Sequence, residues 1–351
     1  MTMANGERTY QFKALSDLWT GSVMNKNGQI VDKPTSERLI TTGLLGSIRW
    51  WFEVLVRGLG GSACDPTDTK CEDRNHCVVC ELFGCTGWAR KFRFEVLDEN
   101  SGTKTDQIKQ NQTFSLRFTP LQPIRVEEWA LLDATLRLIA DYGAIGGKTV
   151  FKPTDEENRM KETHHKDYGI VEILKVDPPI TNLNVAKVED YVRQDRWRKP
   201  EPKAKDADFA WASLKFFWFV EDKTLMREKT NASSFNKVLG RKDSKVCIDC
   251  GQVHNPPNKC SKTKRHPKRE SEHLVNRNDE ISKWLAGSQQ ESKKVFSFKN
   301  PARTFGFVKP ELIDFPTMKD RLQKVWPGLQ DSEFREGPAI LDELLTKENR
   351  S

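Results

Sequence analysis

A short segment between a predicted helix and a predicted strand contains four cysteines: Cys64, Cys71, Cys77 and Cys80. The last two have the C-x2-C spacing that lets two thiolates bind one tetrahedral ion, so we expect a structural zinc site. The alternative is a set of buried free thiols or disulfides. It is disfavoured because no secretory segment indicates an oxidising compartment. Cys85 and His76 are reserve ligands.

The segment before the cysteines predicts an amphipathic helix. Its apolar residues recur at helical spacing: Leu44, Leu45, Ile48, Trp51, Phe52, Leu55, Val56 and Leu59. Arg49, Glu53 and Arg57 fall on the opposite stripe, and a glycine cluster from Gly58 to Gly61 ends the helix.

The segment after the cysteines alternates strictly, which predicts a half-buried antiparallel strand. Phe92, Phe94 and Val96 form its apolar face. Its polar side begins with three cations that we expect to form a basic edge: Arg90, Lys91 and Arg93. Ordinary solvated charges are the alternative.

The N-terminal half, residues 1–155, has the element order of a ferredoxin-like or RRM-like domain. Strands are predicted at residues 10–15 and 114–118, and a helix at 126–142. Residues 156–351 form the predicted second domain. It contains a strand at 169–176, an insertion at about 222–290 and a helical tail from about 317.

A glycine-rich turn, DYGAIGGKTVFKP, follows the 126–142 helix. Gly143, Gly146 and Gly147 allow the backbone to approach a phosphodiester, and Lys148 and Lys152 are placed to neutralise it. A helix C-cap leading into a strand is the alternative.

The predicted insertion contains a second candidate metal site of the form C-x2-C-x3-H-x5-C: Cys247, Cys250, His254 and Cys260. The spacing is close to that of a zinc knuckle, and His266 is a substitute for His254. A mobile insertion with incidental cysteines is the alternative. Lysines and arginines surround the site and suit single-stranded RNA. We therefore expect one or two structural zinc ions per chain.

The composition favours an anionic partner. The 351 residues include 57 Lys and Arg against 50 Asp and Glu, which gives a net charge of +7. No apolar run approaches the ~20 residues of a membrane span, and no signal peptide is evident, so we expect a cytoplasmic protein without membrane contact.

The motifs of common catalytic sites are missing from the sequence: a phosphate-binding P-loop, a nucleophile elbow and a zincin helix. A metal-independent ribonuclease is the enzymatic alternative, with a base and a cation drawn from four residues: His164, His165, Lys166 and Tyr168. Adjacent histidines on a polar connector are more often surface residues, and we expect no catalytic residue in this chain.

Three motifs, TGLLGSIRWWFEVL, CELFGCTGWARKFRFEV and DYGAIGGKTVFKP, occur in this order. Together they resemble the repeat-associated mysterious protein (RAMP) superfamily, most closely the first-subunit family of the type III-B CRISPR effector, the Cmr complex. The resemblance covers about residues 8–155 and is weak beyond.

The resemblance implies an α+β chain of two ferredoxin-like (RRM-like) domains, here with zinc-stapled insertions. It also implies an antiviral effector subunit that caps the 3' part of the guide RNA, contacts target RNA and binds other RAMP subunits. In that family the target-cleaving aspartate of the backbone subunits follows a His-x-Gly sequence. Here the loop reads WTGSVMNKNGQIVD without that histidine, which argues against cleavage; Asp32 remains an exception.

The predicted RNA-binding set therefore joins helix, strand and glycine turn: Arg49, Trp50, Arg57, Arg90, Lys91, Arg93, Gly143, Gly146, Gly147, Lys148 and Lys152. Trp50 and Trp88 are candidates to stack a base, with core packing as the alternative. A scaffold that bridges protein subunits through its tryptophans is the third interpretation.

Overall fold

The computed structural model of the chain describes residues 6–21, 38–64, 71–149, 166–180, 184–199, 209–226, 233–240, 246–247, 250, 272–273, 280–287 and 292–346. Within these ranges the fold is α+β, with two four-stranded antiparallel sheets.

The first half runs strand, helix, strand, strand, helix, strand. Its elements are β1 (Arg8–Ala14), α1 (Thr41–Gly58), the short α2 (Val78–Phe83), β2 (Phe92–Leu97), β3 (Thr113–Pro120), α3 (Val126–Tyr142) and β4 (Val171–Asp177). The sheet has the order β2-β3-β1-β4, so the first strand lies between the third and the fourth.

The predicted domain boundary at residue 155 cuts through this sheet. The strand predicted at 169–176 is β4, and it pairs with β1 rather than with a strand of the second half. The first sheet therefore extends to Asp177, since Thr9 is the register partner of that residue.

The second half repeats the same order. After α4 (Val185–Val192), its elements are β5 (Phe217–Glu221), α5 (Ser234–Val238), β6 (Val246–Cys247), β7 (Glu272–His273), α6 (Glu280–Ala286), β8 (Val295–Lys299), β9 (Ala302–Phe307), α7 (Phe315–Gln323), β10 (Phe334–Glu336) and α8 (Gly337–Thr346). Strands β6 and β7 form a separate two-stranded sheet. The main sheet has the order β10-β5-β9-β8, again with the first strand between the third and the fourth.

The principal apolar core contains side chains from both halves. Trp51 of α1 makes edge contacts with Phe217 of β5 and Phe305 of β9, at 6.1 and 5.8 Å between ring centroids. Helix α8 packs against α1 and α3. Arg303 of β9 is buried and donates from Nη1 to Ala140 O at 2.9 Å, which satisfies a free carbonyl at the end of α3.

None of the helices in the described part of the chain has the length and apolar character that a bilayer-crossing segment needs.

Candidate metal centre

The four cysteines predicted as ligands lie together between α1 and α2. Their sulfur atoms are all within 4.8 Å of one another. Cys64 Sγ is 3.5 Å from Cys71 Sγ, 3.7 Å from Cys77 Sγ and 3.2 Å from Cys80 Sγ. All four are free thiols rather than disulfides.

The donor set fits a structural zinc ion. Four sulfurs bound to one zinc at about 2.3 Å are, by tetrahedral geometry, about 3.8 Å apart, close to the distances found. Hydrogen bonding with Cys64 lowers the pKa of the Cys71 thiol and raises the pKa of the Cys77 and Cys80 thiols. Four thiolates in one buried cluster repel one another, and a divalent cation is the group that offsets this repulsion.

Neither reserve ligand joins the cluster. Cys85 is half-buried and its thiol donates to the Thr86 carbonyl at 3.6 Å. His76 is buried, and its Nε2 lies 2.8 Å from Glu81 Oε2.

Two arginines direct N–H groups at the sulfur atoms. Arg49 Nη2 lies 3.1 Å from Cys80 Sγ, and Arg198 Nη1 lies 3.8 Å from Cys71 Sγ. Burial lowers the pKa of Arg49, but the negative charges of Cys80 and Glu53 outweigh it and raise that pKa. Guanidinium groups here partly neutralise the cluster, as outer-shell donors do around metal sites.

The polar stripe of α1 therefore faces the metal centre. Glu53 lies between two cations, with Oε1 3.2 Å from Arg49 Nε and Oε2 3.8 Å from Arg57 Nη2. Arg57 also donates to the carbonyl oxygens of Cys64 and Ala212. Both guanidiniums therefore already have partners within the protein, and the RNA-binding role of Arg49 and Arg57 stays a prediction.

The two tryptophans beside Arg49 bind the halves together. Trp51 Nε1 donates to the Ala144 carbonyl at 2.9 Å. Trp50 is half-buried and makes an edge contact with Phe307 of β9 at 5.9 Å. Trp88 is also half-buried and tilts against His76 at 4.6 Å. Core packing, the alternative to base stacking, accounts for these positions.

Lys91 is also buried rather than exposed at a strand edge. Its Nζ lies 2.6 Å from Glu81 Oε1 and 2.7 Å from Glu128 Oε1, and the lysine is only 5 % exposed. Tyr191 of α4 donates to the same Glu128 oxygen at 2.6 Å. This network joins α2, β2, α3 and α4, so the predicted exposure of Lys91 is wrong.

The other two cations of the predicted basic edge keep part of their exposure. Arg93 is exposed, with Nε 3.1 Å from Glu95 Oε2. Arg90 is half-buried, and its guanidinium lies 6.0 Å from the Phe92 ring. Their RNA-binding role stays a prediction.

The glycine turn approaches another loop of the same chain. Gly146 N–H donates to Ser47 Oγ at 3.0 Å, and Gly147 N–H donates to Trp19 O at 2.7 Å. Gly143 N–H donates to Ile139 O at 3.1 Å at the end of α3. Since these three N–H groups already have partners, binding a phosphate through them would require breaking internal hydrogen bonds.

Lys148 is partly buried, and burial lowers its pKa. Lys152 lies outside the described residues, as do His164, His165 and Asp32. Lys166 is described, and Tyr168 is buried against Trp19 at 5.4 Å.

The second candidate metal site lies mostly outside the described residues. His254 and Cys260 lie outside the described residues, and of Cys247 only the backbone, in β6, is described. Cys250 is half-buried and is not part of a disulfide. Among the described residues, the only metal-like cluster is that of Cys64, Cys71, Cys77 and Cys80.

Sequence reasoning missed Arg198, which donates to the first cluster. It also missed the network around Lys91, which consists of Glu81, Glu128 and Tyr191. One local signal existed for Glu128. It lies one residue before Trp129 in a strongly apolar helix, where an unpaired carboxylate would be costly, so a buried partner was indicated.

A protein-family model matches residues 11–151. It describes the RAMP superfamily. The matched interval begins inside β1, contains the four clustered cysteines and ends after the glycine turn, and it is shorter than half of the chain. No curated protein matches the sequence.

Several solved structures are similar to this chain at low sequence identity. Cmr1 from Pyrococcus furiosus, in its apo form, is 12% identical with a TM-score of 0.34, and the alignment covers 61% of this chain and 65% of that protein. A chain in the cryo-EM structure of type III-B Cmr-beta bound to cognate target RNA is 10% identical with a TM-score of 0.45, covering 92% and 99%. A chain of the Csm3-Csm4 subcomplex of the type III-A CRISPR-Cas interference complex is 14% identical with a TM-score of 0.25, covering 50% and 79%.

Proposed function

We propose that this chain is a RAMP-type RNA-binding subunit of a type III CRISPR effector complex, stapled by zinc and without a catalytic role. The observation that carries the proposal is the RAMP family match over residues 11–151. Three ordered sequence motifs, described above, support the first subunit of the type III-B assembly as its role, through their resemblance to that family. In that role it caps the 3' part of the guide RNA and contacts target RNA beside other RAMP subunits.

The strand orders support the fold part of this proposal. Both sheets place the first strand between the third and the fourth, with helices in the two crossovers, which is the β-α-β-β-α-β arrangement of a ferredoxin-like domain. We therefore assign each half to this class. The two-stranded β6-β7 pair is an insertion in the second half.

The open face of the first sheet restricts how RNA is bound. RRM domains stack bases on aromatic side chains of this face. Here the outward residues of the central strands β1 and β3 are polar: Thr9, Gln11, Lys13, Ser115, Arg117 and Thr119. Its charges are paired across strands, as in Arg117 Nη2 with Glu95 Oε2 at 3.1 Å. This face suits contacts with phosphate and ribose rather than base stacking.

The burial of the tryptophans gives no support to a purely scaffolding role. All ten tryptophans lie in described residues, and each is buried or half-buried within the chain itself. An interface built from exposed tryptophans therefore has no counterpart on this surface.

Filter binding of the zinc-loaded full chain to single-stranded RNA at several salt concentrations tests the proposal. A contact with about 5 phosphates gives a slope of about −3.5 for the logarithm of affinity against that of salt. A flat response, or no binding, overturns it. Incubation of RNA with the protein in EDTA tests the absence of catalysis, because a metal-independent ribonuclease would cut the strand.

A further inference from the structure

A cleft of about 440 Å³ lies where the two halves meet. One wall is the turn after α1, from Gly60 to Ala63, and the other walls are the end of α4 and the segment that leads into β5. Its volume is in the range of about 300 to 1,000 Å³ found for ligand sites, and such sites are common between domains.

The charged residues that line this basic cleft, among those that the structure describes, are all cations. They are four in number, with no carboxylate beside them in that described lining: Arg57, Arg193, Lys199 and Lys215. A cleft lined by one charge focuses the potential and attracts ions of the opposite sign. Trp197 and Phe216 add aromatic surface to the same lining.

The cations differ in how available they are. Arg57 is held by Glu53 and by two carbonyl oxygens, as described above. Arg193 Nη1 lies 3.5 Å from Glu189 Oε2, and its Nε donates to Leu59 O at 2.8 Å. Both arginines therefore shape the walls of the cleft.

The two lysines are available to a ligand. Lys199 Nζ lies 3.7 Å from Asp195 Oδ1, but this pair is highly exposed and therefore weak. Lys215 is exposed and forms no ion pair with any residue that the structure describes. Each of these two ammonium groups can therefore bind a phosphate at a small cost in free energy, because little is given up when it leaves its present contacts.

The metal centre braces both sides of the cleft. Arg57, in one wall, donates to the carbonyl of Cys64. Arg198, between Trp197 and Lys199, donates to Cys71 Sγ and through its backbone N–H to His76 O at 3.0 Å. The positions of the wall residues thus depend on the folded cysteine segment.

We propose that the basic cleft binds a short segment of single-stranded RNA, with Lys199 and Lys215 each contacting a phosphate and Phe216 lying beside a base. This inference rests on the proposed function and adds to it the place on the chain where the RNA binds. Phosphate is the group that recurs along RNA, and the pairing of ammonium groups with an aromatic ring is the arrangement by which proteins bind single strands.

The test compares two double variants of the full zinc-loaded chain, Lys199→Gln with Lys215→Gln and, as control, Lys237→Gln with Lys324→Gln. The control lysines are exposed and lie outside the cleft lining, so each double variant removes two charges from the +7 of the chain. The probe is a fluorescent uridine oligonucleotide of about 10 nucleotides, followed by anisotropy.

Each lost phosphate contact is expected to remove about 0.7 from the slope of log affinity against log salt concentration. The cleft variant, which loses two contacts, is therefore expected to have a slope shallower by about 1.4. Its affinity in roughly 0.1 M salt is expected to fall by about 25-fold. The control variant is expected to change the slope much less. If wild type binds with a steep slope and the cleft variant matches the control, the cleft proposal fails while the proposed function stands. If wild type does not bind RNA, both fail.

Photocrosslinking gives a second readout that does not depend on variant stability. An oligonucleotide containing 4-thiouridine, irradiated with the wild-type chain, is expected to label peptides that contain Phe216 or Trp197. Labels confined to other peptides overturn the location.

Discussion

Arg49 Nη2 and Cys80 Sγ are 3.1 Å apart, so the arginine of the Arg-Trp-Trp sequence donates into the cysteine cluster. Its Nη1 donates to Gly84 O at 2.9 Å, at the end of α2. One side chain thus fixes α1 against Cys80 and against the C-terminal end of the short helix that carries it. The Arg-Trp-Trp sequence is therefore part of the metal centre and of the junction between the halves.

Arg49→Met is expected to weaken metal binding, because it leaves the cluster without its closest cationic donor. Loss of an outer-shell partner reduces metal affinity by about 10- to 100-fold. Competition with a chromogenic chelator measures the affinity. Arg93→Met is the control, since that arginine is exposed and its Nε pairs with Glu95. Equal affinities in the two variants would contradict an outer-shell role for Arg49.

Cys80→Ser is expected to remove one equivalent of zinc per chain, whereas Cys85→Ser is expected to retain it. The reason is geometric, because Cys80 Sγ belongs to the four-sulfur cluster and the Cys85 thiol instead donates to Thr86 O. Elemental analysis of the purified variants measures the difference. Comparing them in the same background keeps the result independent of any metal at Cys247 and Cys250. If Cys85→Ser lost zinc and Cys80→Ser retained it, Cys85 rather than Cys80 would be the zinc ligand.

Local sequence patterns predicted the elements well, because periodicity and spacing are properties of neighbouring residues. Helix α3 spans Val126–Tyr142, the range predicted from its apolar stripe. The four cysteines of the first cluster followed from their grouping and from one C-x2-C pair. The α+β class followed from these elements too.

Local patterns could not predict which residues far apart in the sequence contact one another. The alternation around Lys91 is the same for a solvated lysine as for one buried against Glu128, and only the tertiary fold brings that carboxylate within 2.7 Å. Similarly, nothing near Val171–Asp177 indicates that the strand returns to β1. The Arg49, Glu53 and Arg57 stripe has helical spacing whether it faces water or a metal centre.

Lys91→Met is expected to lower the free energy of unfolding by about 3 to 5 kcal/mol, because it leaves Glu81 and Glu128 buried without their cation. Urea denaturation followed by tryptophan fluorescence measures this quantity. Arg93→Met, two residues along on the exposed side, is expected to change it by less than about 0.5 kcal/mol. If both variants unfolded at the wild-type midpoint, Lys91 would not be the centre of a stabilising network.

Gly146→Ala is expected to destabilise the chain by more than about 1 kcal/mol. The glycine has a φ of +123°, and an added Cβ would lie 2.7 Å from the backbone oxygen of Trp19. Gly46→Ala is the matched control, since Gly46 is exposed in α1 with nothing within 4 Å of the added Cβ. It is expected to stabilise by up to about 1 kcal/mol, because alanine favours helix over glycine. Urea denaturation distinguishes the two by the sign of the change, and a neutral Gly146→Ala would remove the close-approach argument.

Lys148 is expected to make the free energy of unfolding depend on pH in the alkaline range. Burial lowers its folded-state pKa below the ordinary value of 10.5, so between the two values the unfolded chain binds more protons than the folded chain. The contribution of Lys148 to the free energy of unfolding therefore rises with pH across that window. In Lys148→Met this contribution is missing, and the stability advantage of the variant over wild type is expected to shrink as pH rises toward 10.5. Urea titrations of wild type and variant at several pH values measure the difference between their free energies of unfolding. The contributions of other ionisable groups are nearly the same in both proteins and largely cancel in this difference. A difference between Lys148→Met and wild type that stays constant with pH would contradict the burial of the Lys148 ammonium group.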